Sequence, residues 1–361
     1  MSPDPAPALR LAGRGLLAAG ALAAGAALGA LAERSVMRAV GVGSDTEQEL
    51  GQLRGDPSVV ATGDGTVLHV EVDEAPDADD LTIIFCHGYA LSLDSWHFQR
   101  AALRGRARLV FYDQRSHGRN ARADFDTHHV DQLGSDLYDV INATAPTGPL
   151  MLIGHSMGGM TVMALADQHP ELFAERVYGV ALIATSAGGL ASGELGLPGG
   201  IGPVFHRLAP SVAAALAQRG SLVDRLRWND TDLGLMLTRM YSFGSTATDQ
   251  ASRFVAGMVA ATPLDVVAEF LPALQDHDKR DSLTVLENVE LLVMVGDADR
   301  LTPPGYSDEI IALVPGAEYI VVHDAGHMVT LEKHEKVDDA LLDLLARVRR
   351  DLAHEVDGSV A

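Results

Sequence analysis

Six short apolar runs recur along the chain, each uninterrupted and each ending in turn residues. They are LTIIFCHG (81–88), RLVFYDQ (108–114), LMLIGHS (150–156), VYGVALIATS (177–186), LLVMVGD (291–297) and AEYIVVHD (317–324). Strands wetted on one face alternate apolar and polar residues. These runs do not alternate, so they read as strands covered on both faces, the mark of a parallel sheet. Helical text lies between them: DQLGSDLYDVINAT, MGGMTVMALADQHPELF, DEIIALVP and EKVDDALLDLLARVRRDLAHEV, with apolar residues spaced i, i+3, i+4. This alternation predicts a doubly wound α/β sheet. Upstream, SVVATGDGTVLHVEV (58–72) sets two apolar stretches around Gly-Asp-Gly and predicts a hairpin.

One interval interrupts the pattern. From about Ala187 to Asp278 no strand is expected, and VFHRLAPSVAAALAQRG, TDLGLMLTRMYSF and DQASRFVAGMVA read as helices. Insertions at the carboxyl ends of parallel strands lie over the ligand crevice. The chain therefore divides into a core (58–186 and 279–354) and a helical cap (187–278). A polar linker (41–57) and an apolar leader (1–40) precede them. In the leader, Gly15–Ala32 holds only Leu, Ala and Gly behind Arg10 and Arg14, so it resembles a signal sequence or membrane anchor. As a helix it spans about 27 Å, slightly less than a bilayer core. Export or membrane association through residues 15–32 is favoured over a cytoplasmic location.

The balance of charge excludes some partners. With 27 Lys and Arg against 49 Asp and Glu, the net charge is −22. Such a surface repels nucleic acid and anionic lipid, so neither is an expected partner. Cys86 is the single cysteine and lies in an apolar run, so it reads as a small buried hydrophobe. No CxxC or HExxH spacing occurs, and no metal site is expected.

The strongest chemical signal is LMLIGHSMGGMTVMAL. Gly154, Ser156 and Gly158 form G-x-S-x-G between a strand and a helix. A serine on that sharp turn projects its hydroxyl from the top of the sheet, and the helix N-terminus favours developing negative charge there. A serine nucleophile needs a base. Among 14 histidines, His327 sits in a loop between the last strand and the last helix, where it reaches a neighbouring strand end. His323 lies at the strand end itself, and His334 starts the helix. The orienting acid belongs between serine and histidine in the chain. The loop after VYGVALIAT reads SAGG and holds no carboxylate, so the role falls to GDADR, on Asp297 or Asp299. Two backbone N–H groups are needed for an oxyanion. Met157, just after the serine, supplies one, and Tyr89, after the strand ending in His87–Gly88, supplies the other.

Together these residues resemble the α/β-hydrolase superfamily over about residues 58–350. The resemblance rests on HG (87–88), DQRSHGRN (113–120), GHSMGG (154–159), GDADRLTP (296–303) and GH (326–327), in the family's order with a helical cap between. It implies an α/β-hydrolase fold and a Ser156–His327–Asp299 triad. The family's G-x-x-D-x-x-x-P pattern selects Gly296, Asp299 and Pro303, and leaves Asp297 as an exposed or turn-capping residue. DQRSHGRN departs from the family's usual wording, with Ser116 and Asn120 where Gly and Ser are commoner. Epoxide hydrolases and haloalkane dehalogenases carry Asp where Ser156 stands. The implied activity is hydrolysis of small to medium apolar carboxylic esters, without a cofactor. A cofactor-free perhydrolase and a carbon–carbon bond hydrolase use the same triad, and a non-catalytic ligand receptor is the reading outside catalysis. His87, Trp228, Met240, Tyr241, Phe243, Phe254 and Met258 are the expected pocket wall.

Overall fold

Five of the six apolar runs form the middle of an eight-stranded sheet in a computed structural model that describes residues 49–76, 80–190 and 232–358. The sixth, AEYIVVHD, expected to be covered on both faces, is instead an edge strand with Val321 exposed. The strands are β1 (Asp56–Ala61), β2 (Val67–Asp73), β3 (Thr82–Cys86), β4 (Arg108–Tyr112), β5 (Leu150–His155), β6 (Val177–Ile183), β7 (Glu290–Gly296) and β8 (Glu318–Val322). Their order across the sheet is β1-β2-β4-β3-β5-β6-β7-β8. The β1–β2 hairpin is antiparallel and joins β4 antiparallel, while every pair from β4 to β8 is parallel.

The period of two along each strand explains the unbroken apolar text. Ile84, Cys86, Val110, Leu152, Leu182 and Val293 face one core layer. Their neighbours Ile83, Phe85, Leu109, Ile153, Ile183 and Met294 face the other. Burying each such aliphatic or aromatic side chain contributes roughly 1.5–3 kcal/mol before entropy is counted. The covering helices of the core are α1 (His97–Leu103), α2 (Val130–Thr144), α3 (Met157–Gln168), α4 (Pro170–Glu175), α8 (Pro304–Leu313), α9 (Val329–Glu332) and α10 (His334–Gly358). The text MGGMTVMALADQHPELF, expected as one helix, divides at His169, whose φ of −134° and ψ of 58° are not helical. Pro170 disfavours helical geometry in the residue before it and starts α4 instead.

Between β6 and β7 the described residues contain α5 (Asp232–Ser242), α6 (Asp249–Ala261) and α7 (Leu264–Asp276), with no strand. These stand where a cap was expected. The leader 1–40, residues 41–48 of the linker, the expected cap helix VFHRLAPSVAAALAQRG and Trp228 lie outside the described residues. Among the described residues no single helix is long and apolar enough to cross a membrane.

Candidate active site

Each candidate site loop leaves the carboxyl end of a parallel strand. Ser156 follows β5 with φ 54° and ψ −119°, a left-handed conformation that non-glycine residues rarely adopt. It is the one residue between Leu150 and Met160 that is not buried. The turn is possible because its neighbours are small. A Cβ on Gly158 would collide with the carbonyl oxygen of Cys86 at the end of β3. That close approach sets the start of α3 directly beside the loop carrying Tyr89. The N–H groups of Met157 and Tyr89 donate to no acceptor among the described residues.

The two aspartates of GDADR take different places. Asp299 is buried and has all its oxygen capacity engaged. Its Oδ1 accepts from the N–H of Leu301 at 2.8 Å and of Thr302 at 3.0 Å. Its Oδ2 accepts from Thr302 Oγ1 at 2.9 Å and from His327 Nδ1 at 2.9 Å. A carboxylate only accepts, so Nδ1 carries the imidazole proton and Nε2 keeps a free lone pair. Asp297 is exposed; it accepts from the Asp324 N–H at 2.7 Å and pairs with exposed His323 at 2.7 Å. That pairing holds Asp297 below the usual carboxylate range. The acid and base loops are joined by backbone, Ala298 N–H donating to Ala325 O at 2.9 Å.

The expected pocket wall is only partly where it was placed. His87 is wholly buried, with Nδ1 donating to Gly88 O at 2.8 Å and Nε2 accepting from the Gln114 N–H at 2.9 Å. Both ring nitrogens serve backbone, so His87 braces the loop and does not face a ligand. Burial lowers its pKa to about 4, which keeps it neutral. Phe243 is also buried, and with Leu91, Met328 and Leu331 it forms a seam between cap and base loop; Phe254 and Met258 pack against that seam. Met240 is exposed and Tyr241 half-buried. The apolar residues packed against the Met157 side chain come largely from α7, which sequence reading passed over. Val266 and Phe270 pack with Met157 and Leu133, and Tyr89 and Leu274 join them. Their i, i+4, i+8 spacing was the available signal. The Tyr89 hydroxyl also donates to Val267 O on α7, so this cap helix grips the loop that bears the amide.

DQRSHGRN is structural throughout. Asp113 accepts from the N–H of Leu93 and of Arg119, both at 2.8 Å. Buried Arg115 forks onto Asp136 at 2.7 and 2.6 Å. Ser116 has φ 64°, where glycine is favoured, but its hydroxyl compensates. It bonds His128 Nε2 at 2.7 Å and accepts from the Ala123 N–H at 2.9 Å.

The chain belongs to the alpha/beta hydrolase family, whose pattern it matches over residues 83–340. It is 26% identical over 266 residues to the dihydrolipoyllysine-residue acetyltransferase component of an acetoin cleaving system from Pseudomonas putida. That match takes in 73% of this chain and 63% of the relative, so the chain spans less than two thirds of that protein. It is 23% identical over 280 residues to 3-oxoadipate enol-lactonase 1 of Acinetobacter baylyi, covering 77% of this chain and 92% of the lactonase. Among solved structures, a thermophilic esterase from Thermogutta terrifontis superposes with a TM-score of 0.60 at 21% identity, over 81% of this chain and 98% of the esterase. That likeness is one of fold.

Proposed function

We propose that this hydrolase cleaves carboxylic esters of small to medium apolar substrates through an acyl-enzyme on Ser156. The supporting observation is the constellation at one rim of the sheet. A serine in a strained strand-to-helix turn follows β5, the buried Asp299–His327 pair sits on the loops after β7 and β8, and two backbone N–H groups have no acceptor among the described residues. His327 Nε2 takes the Ser156 proton as Oγ attacks the acyl carbon. Asp299 holds the Nδ1–H tautomer and stabilises the imidazolium. The amides of Tyr89 and Met157 receive the oxyanion. His327 returns the proton to the leaving alcohol, then activates water to release the acid. The chemistry draws only on these groups and water. The apolar side chains of Val266 and Phe270, packed on Met157 next to the serine, are in keeping with a small to medium apolar substrate. The apolar run 15–32 supports export or anchoring; a fully cytosolic, uncleaved reporter fused to residues 1–40 would refute it.

The test is fluorophosphonate labelling followed by turnover of p-nitrophenyl esters of graded chain length. Labelling at Ser156, abolished by Ser156→Ala, with turnover of the short esters is expected. A chain that is not labelled overturns the reading.

A further inference from the structure

His155 precedes the serine, yet its side chain turns inward to groups the mechanism already uses. The ring is wholly buried, 5.0 Å centroid to centroid from His327 and edge-on to Trp96 at 6.3 Å. Its Nε2 lies 2.9 Å from the carbonyl oxygen of His327. A carbonyl only accepts, so Nε2 carries the proton and Nδ1 is a bare lone pair, without a partner among the described residues. On its other side the ring touches the oxyanion loop: a Cβ on Gly88 would stand 2.8 Å from Nδ1. Burial pushes the His155 pKa down to about 3, so the ring stays neutral and does not compete with His327 for the serine proton.

The rest of the base loop is pinned elsewhere. Gly326 N–H donates to Glu332 at 2.8 Å, and Met328 N–H to Ser242 O at 2.7 Å. The His327 carbonyl between them is held by His155. Asp299 fixes the direction of the His327 ring, but the place of its backbone needs a second constraint. Given the serine-hydrolase reading, we propose that His155 is a positioning residue for the base. Wedged between Gly88 and the His327 carbonyl, it sets the distance from the His327 imidazole to Ser156 and to the Tyr89 amide. Nucleophile, base and oxyanion donor then share one ring as their spacer. A buried histidine that merely fills space would make no such demand on one donor position.

The test compares three variants of the full chain, each checked for folding by thermal melt. H155L removes the donor. H155Q returns an amide N–H near the Nε2 position, and H155N, one methylene shorter, cannot reach it. H155L and H155N are expected to lower kcat and the fluorophosphonate labelling rate about 10²-fold, the cost of a misplaced catalytic group. KM should stay within about threefold, and H155Q should recover most of the loss. Equal activity of H155Q and H155N, or a folded H155L within about threefold of the parent, overturns the proposal. The H155Q–H155N contrast stays readable even where H155L fails to fold. A parent chain that fluorophosphonate does not label overturns the hydrolase reading and this role with it. A labelled parent with an unaffected H155L overturns this role alone.

Discussion

The strand-end loops and the helices between β6 and β7 meet at Met157, Tyr89 and Met328, but they are held by different kinds of interaction. In the loops, particular polar groups are tied inside the protein: Asp299 by four donors, His87 by two backbone groups, and the loops after β7 and β8 by main-chain bonds. The cap is held by an apolar seam and by ties that solvent partly reaches. Arg122, 43% exposed at its side chain, pairs with Asp265 and Glu269 on α7. His128 joins Glu269 at 2.8 Å from a buried position. Low-dielectric, fully paired groups define one geometry. Solvent-screened pairs define a position more loosely. The loops are therefore expected to govern the rate of chemistry, and the cap to govern what reaches it.

The largest expected effect tests the loop side of that contrast. Asp299→Asn should lower kcat by about 10⁴, as when a triad acid is lost. Asp297→Asn, two residues away but exposed, should stay within about threefold, since its partners are His323 and a turn amide. The reverse outcome, read from kcat on p-nitrophenyl acetate, would reassign the acid. On the cap side, Phe270→Ala removes a buried ring and should cost about 3–5 kcal/mol of stability. It should raise KM for short esters far more than it lowers kcat. A drop in kcat with KM unchanged would mean that α7 shapes the oxyanion loop and not the pocket.

What was legible in the sequence follows the same division. The unbroken apolar runs require two covered faces, and that requirement is local, so sheet and layers could be read directly. The serine turn and the order of the proposed triad residues are also local. Choosing Asp299 over Asp297 was not, because both sit in one turn and only the family spacing separates them. In three dimensions the distinction is burial: Asp299 turns inward to Thr302 and His327, Asp297 outward to His323. The cap wall was least legible. Phe243 was expected to face substrate but packs on Met328 and Leu331, and Val266 and Phe270 were passed over. An amphipathic helix shows which face is apolar but not what that face covers. His87 failed for the same reason, since a histidine in a turn carries no mark of which backbone it will brace.

The loop side also predicts a response to acid. His87, His117 and His155 are buried and held at about 4, 3 and 3, mainly by burial, against an ordinary 6.5. Below pH 6.5 the unfolded chain takes up these protons and the folded chain does not. Stability therefore falls as pH drops, by up to about 3 kcal/mol for His87 alone once pH reaches its folded value. Melting temperature against pH should decline below about 6.5, and less steeply in H155L. A melting temperature flat from pH 7 to 5 would show that these rings are hydrated or paired.

The smallest expected effect is the most direct probe of how the cap is held. Arg122→Ala removes the half-exposed pairs with Asp265 and Glu269, and surface pairs of this kind contribute within about 1 kcal/mol. Stability should barely change, and raised salt should erase the difference. Glu269 keeps His128, and α7 keeps the Tyr89 hydroxyl on Val267 O, so the oxyanion loop retains its grip on the cap. Turnover of short esters should then be unchanged, while bulkier esters gain from a cap that opens more readily. A tenfold fall in kcat for every ester would contradict a division of labour between loops and cap. It would mean that the screened pair positions Tyr89 through α7, and that cap and catalytic loops form one mechanical unit.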